Sequence, residues 1–116
     1  MLKVKKLELS GDFDKLGDFE KRAVNRKVNE FFETMGDVFG RVEVGVSLGR
    51  MQKQILGVNF FRSRMYVVAG NSRFVSECDE YGAEEAVQCA LKKIEKNIYN
   101  DSRWFVNLEN SVIRVS

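Results

Sequence analysis

The chain has 116 residues, 44% of them hydrophobic and 31% charged, with 19 Lys and Arg against 17 Asp and Glu and no histidine. That length suits one domain around one two-layer core, and a net charge of only +2 means that any anionic partner must be met by the distribution of the cations, not their sum. The missing histidine removes Ser-His-Asp and Cys-His catalysis, two cysteines do not make a four-ligand zinc site, and no apolar run approaches the roughly 20 residues of a membrane span; the expectation is a non-enzymatic, cytoplasmic protein with no metal or cofactor.

Residues 3–9, KVKKLEL, read as a first strand, ended by Ser10, Gly11 and Asp12. From Asp18 to Met35 the apolar positions Val24, Val28, Phe31, Phe32 and Met35 recur at helical spacing, with Asp18 as N-cap and Gly36 as the stop. Leu16 and Phe19 fall outside that phase and are expected to pack as a staple at the helix start. At residues 41–48, RVEVGVSL, the period becomes two: Val42, Val44, Val46 and Leu48 face inward, Arg41, Glu43, Gly45 and Ser47 outward. GRMQKQ, residues 49–54, reads as a polar connection.

Residues 55–69 are strand-like, with the RSR at 62–64 as a candidate break, and adjacent Phe60 and Phe61 must point to opposite faces, one into the core and one over an edge. Gly70, Asn71 and Ser72 form a tight turn before a strand at 73–79. The last helix, 82–99, buries Ala83, Val87, Ala90, Leu91, Ile94 and Ile98 on one face. Lys92 and Lys96 fall on its other side with Lys93 at the border, either solvated and favouring the helix dipole or facing something anionic. Cys78 and Cys89 read as two buried thiols and not as a disulfide.

The expected fold is α+β: a two-layer sandwich, β-α-β-β-β-α, with two helices on one face of a mostly antiparallel sheet. Residues 1–100 make the domain and 101–116 an appended, strand-like C-terminal segment. That tail carries Trp104, Phe105 and several aliphatic residues, too apolar for a free tail, so it is expected to dock on the domain or on a partner. Four cations, Arg50, Lys53, Arg62 and Arg64, fall within 15 residues with no acid between them, which leaves anion binding and a solvated surface equally open there.

The helix AVQCALKKIEKNI, preceded by GNSRFVSECDEY, resembles the closing strand and last helix of the ribosome hibernation-promoting factor family, and AVNRKVNEFFETM resembles that family's first helix in aliphatic spacing and paired basic residues. The resemblance implies a factor that occupies the small ribosomal subunit and silences translation. Its RNA-binding cations would be Arg22, Arg26 and Lys27 on the first helix and Lys92, Lys93 and Lys96 on the last, on one surface if both helices cover the same sheet face. Arg50, Lys53, Arg62, Arg64 and Arg73, placed in loops and strand ends, would extend that surface around the sheet edge. Two other readings stay open: a double-stranded-RNA-binding-like module, and an interaction module that dimerises through residues 102–116 with Trp104 and Phe105 as anchors.

Overall fold

The computed structural model describes residues 4–101, with side chains from Lys6 onward. β1 (Val4–Gly11) leads through a single 3-10 turn (Asp12–Lys15) into α1 (Asp18–Val38), followed by β2 (Arg41–Ile55), β3 (Val58–Ala69), β4 (Ser72–Tyr81) and α2 (Ala83–Asn100). The strands lie in the order β1-β2-β3-β4. β1 and β2 are parallel, with α1 as the crossover, and the other two pairs are antiparallel. This is the expected α+β sandwich.

The period-two pattern of β2 sets the layers. Val42, Val44, Val46 and Leu48 are fully buried against the helices, joined from β3 by Met65 and Val67. From above, α1 contributes Val24, Val28, Phe31 and Met35, and α2 contributes Val87, Ala90, Ile94 and Ile98, all in one core. The alanines of α2 let that helix lie close to β3 and β4. At its start, Glu20 of α1 accepts a hydrogen bond from the Ala83 N–H at 3.3 Å, supplying from a neighbouring helix a partner for a first-turn donor.

Several boundaries differ from the sequence reading. Gly17, not Asp18, occupies the N-cap of α1, and no side chain caps it; Asp18 lies in the first turn, where its charge still favours the dipole. Gly36 does not stop the helix. It continues the row of Val28 and Phe32 on the buried side, and the chain leaves the helix at Phe39. Phe19 is 82% exposed and forms no staple, because it stands well over a quarter-turn from the Val24–Val28 stripe, whereas Leu16 does pack against the core.

The region 49–54 is not a connection: β2 runs on to Ile55 and returns directly as β3. Nor does the RSR segment break β3, since Arg62 and Arg64 point outward while Ser63, between them, is fully buried. Phe61 is buried and Phe60 lies half-exposed on the other face, edge-on to Tyr81 at 4.8 Å between centroids. On that helix-free face the Tyr66 ring covers Gly45, its directly paired neighbour, so closely that a Cβ at position 45 would overlap the ring.

Cys78 and Cys89 are joined as a disulfide, with 5.9 Å between Cα atoms, which corrects the expectation of two thiols. The bond staples β4 to α2. An 11-residue separation brings the two together only because α2 folds back along β4, with Ser76 Oγ donating to the Ala90 carbonyl at 2.9 Å.

Candidate nucleic-acid interface

The eleven candidate cations separate into three places. On the helical layer, Arg22 and Arg26 are exposed on α1, and Lys92 and Lys96 on α2. Arg22 Nε donates to the Asp18 carbonyl at 3.4 Å, and its guanidinium makes no ion pair with any described residue. Arg26, Lys92 and Lys96 make no ion pair with any described residue. Lys27 and Lys92 line the two sides of the groove between the helices, a concavity of about 440 Å³ floored by Phe31, Met35 and Leu91. Lys27 is half-buried and paired with Glu84 at 3.4 Å. Lys93 leans over the sheet edge, its ammonium donating to the Glu77 carbonyl at 3.0 Å.

The second place is the helix-free sheet face, and here the placement differs from expectation. Arg62, Arg64 and Arg73 lie within strands, on the side of the sheet opposite the helices, not in loops that extend the helical surface. Arg62 grips Asp79 with two parallel hydrogen bonds, Nε to Oδ1 at 2.8 Å and Nη2 to Oδ2 at 2.9 Å, and also approaches Glu77 at 3.3 Å. Arg64 pairs with Glu77 at 2.7 Å. The acids absent between residues 50 and 64 are thus supplied by the neighbouring strand, directly opposite in register. Arg73 lies over the Tyr66 ring, 4.8 Å from its centroid.

The Arg62 hydrogen bonds hold the Asp79 carboxyl below its ordinary value of 3.8, aided by the fields of Lys93 and Arg64. A carboxylate with a depressed folded-state pKa adds stability that is present above the unfolded value and is lost as pH falls through the folded one. In denaturant unfolding, stability is therefore expected to decline below about pH 4. Arg62→Met should flatten that decline while lowering stability at neutral pH. An equally steep acid limb in the variant would show that the pair does not carry it. Asp12, lowered chiefly by the Arg50 N–H and then by Lys15, acts with the same sign and leaves a residual slope.

The third place is the projecting end of β2–β3, which carries Arg50 and Lys53. Asp12 Oδ2 accepts the Arg50 N–H at 2.7 Å and pairs with Lys15 at 3.2 Å, so the 3-10 turn anchors the base of this ribbon. Lys53 rests over the Phe60 ring at 4.9 Å from its centroid. Sequence reasoning missed the ribbon; its signal was the pair Leu56-Gly57 between Ile55 and Val58, a two-residue turn between strand formers. Trp104 and Phe105 lie outside the described residues. Cys78, Glu80 and Cys89 bring metal-ligand atoms together, but the two sulfurs are bonded to each other and offer no thiolate.

The described surface thus has one layer with exposed cations outside any described ion pair, one face on which Arg62 and Arg64 are paired with Asp79 and Glu77 while Arg73 lies over Tyr66, and one cationic projection. The family model described as "Hibernation factor Hib, C-terminal domain" matches residues 7–109, nearly the whole chain. Among solved structures, the N-terminal domain of Thermus thermophilus Protein Y shares the fold, with a TM-score of 0.53 at 15% identity over 83% of this chain and 94% of that one. No curated protein matches the chain in sequence. With that match spanning the two helices and the sheet described above, the chain belongs to the ribosome-associated hibernation factors, as a domain of the Hib C-terminal type.

Proposed function

We propose that this domain docks on the small ribosomal subunit through rRNA and, in the cytoplasm, holds idle ribosomes out of translation. The observation that carries the reading, beside family membership, is that Arg22, Arg26, Lys92 and Lys96 project from the two helices of one layer without being neutralised by described carboxylates. Folded rRNA is met mostly through phosphate, sugar and shape, and this requires fixed cations on rigid elements, which two packed helices provide. On the opposite face Arg62 and Arg64 are instead satisfied by Asp79 and Glu77. Such a role is one of binding and occlusion, so it asks for no catalytic group. Among the described residues no helix is long and apolar enough to cross a membrane.

The test is co-sedimentation of the full chain with ribosomal subunits at low and moderate salt. Recovery with the small subunit that falls steeply with salt, by a log-log slope of roughly 0.7 to 0.9 per phosphate contact, is the expected result. Recovery in the free fraction at both salts, or association indifferent to salt, would overturn the reading.

A further inference from the structure

The β2–β3 ribbon outruns the rest of the molecule. β1 ends opposite Leu48 of β2, and β4 ends opposite Phe60 of β3, whose own partner is Met51. Beyond that line only two strands continue, through a bulge between Met51 and Gln54, and every residue from 50 to 58 is exposed. A ribbon without support usually ends in polar turn residues. This one ends in Ile55, Leu56, Gly57 and Val58, exposed by 54% at Ile55, 100% at Leu56 and 44% at Val58.

Leu56 is anomalous in its backbone as well. The two-residue turn places both central residues at positive φ, 49° at Leu56 and 79° at Gly57. Asn, Asp or Gly is the ordinary occupant of the first position, because a short polar side chain or no side chain tolerates it. Leucine brings neither advantage, and its fully exposed side chain contributes no packing to the fold. Backbone strain and apolar exposure therefore coincide on one residue that folding does not need, the combination expected of a contact made with a partner.

Charge gives the sign of the partner: anionic. Residues 49–59 hold Arg50 and Lys53 and no acid. Asp12, beside the base, already pairs with Lys15 and the Arg50 N–H. Gln52, Gln54 and Asn59 line the same stem, which is cationic and rich in amides below an apolar tip. On the ribosome-docking reading the anion is rRNA, whose phosphates, 2′-hydroxyls and base edges meet cations and amides while an apolar wedge presses on a base or ribose face.

We propose that the β2–β3 ribbon is a probe that enters a groove or junction of rRNA, with Arg50 and Lys53 at phosphates and Leu56, flanked by Ile55, wedged against the bases. The inference rests on the ribosome-docking reading above and adds to the helical surface a second contact that is apolar at its end.

Three measurements on the full chain test it. Leu56→Asn, in which asparagine accepts the positive φ, is expected to unfold at or above the wild-type temperature yet bind purified small subunits roughly tenfold or more weakly, the scale of one lost buried leucine contact. Its salt slope should match wild type, because no cation is removed. A photoreactive benzophenone side chain at position 56 should crosslink to rRNA. Wild-type affinity in Leu56→Asn and in the triple variant Ile55→Thr, Leu56→Asn, Val58→Thr would overturn the probe while leaving ribosome docking standing. A crosslink to a ribosomal protein would overturn the RNA assignment. A wild-type chain that binds no subunit would overturn this inference together with the docking reading on which it rests.

Discussion

Changing Arg26, Lys92 and Lys96 together to glutamate is expected to reduce affinity for the small subunit by roughly two to three orders of magnitude at moderate salt and to lower the salt slope by about 2 to 3. All three are exposed and free of ion pairs with described residues, so neither a core contact nor a salt bridge is broken. Each change should therefore alter folding stability by only about 0.5 kcal/mol. Lys27 and Lys93 are omitted deliberately: Lys27→Glu would face Glu84, and Lys93→Glu would lose the bond to the Glu77 carbonyl, so a binding defect in either would be confounded with the fold. Quantitative co-sedimentation across a salt series, with thermal unfolding alongside, reads both quantities. Unchanged affinity at unchanged stability would mean that the helical layer faces water and that another surface carries the contact.

The disulfide yields the second large effect. Closing a loop between residues 11 apart removes unfolded-state freedom worth about 2–3 kcal/mol, so Cys89→Ser, or reductant added to the wild type, is expected to lower the melting temperature by roughly 10–20 °C. Cys89 is only half-buried, which keeps the packing cost of serine small, whereas Cys78 sits in the core and its replacement would mix cavity and bond effects. Reductant should not shift Cys89→Ser. Thiol titration of the native chain should return no free cysteine; two titratable thiols with the wild-type melting temperature would show that the bond does not form in solution. Disulfides are uncommon in reducing compartments, so the bond also makes the domain's stability responsive to redox conditions.

The two helices and the inner half of β2 were legible because each has a one-sided environment that imprints a period: Val24, Val28 and Phe31 at three and four, Val42, Val44 and Val46 at two. Where an element has no layer above it, the imprint vanishes. Residues 50–55 are exposed, bury nothing and so alternate nothing, and 49–54 read as a loop although they are strand. In β3 the alternation survives, but the inward position between two arginines is Ser63, so hydrophobicity alone misses it. The placement of Arg62 and Arg64 failed for a different reason: their acids, Glu77 and Asp79, are distant in sequence and become neighbours only through antiparallel register. The disulfide was hidden in the same way, by a helix folding back on a strand. Of the candidate interface, the exposed cations of the helices could be read from the sequence, and the separation of the others onto an opposite face could not.

The Lys93 ammonium and the Asn97 amide donate to the Glu77 and Val75 carbonyls along the outer side of β4. Those oxygens are two of the acceptors that an added strand would need, so α2 obstructs pairing along that part of β4, while β1 is the other border of the described sheet. The same lysine and asparagine on α2 thereby disfavour strand addition at that stretch of β4, one way in which a sheet protein guards an exposed border against its own copies.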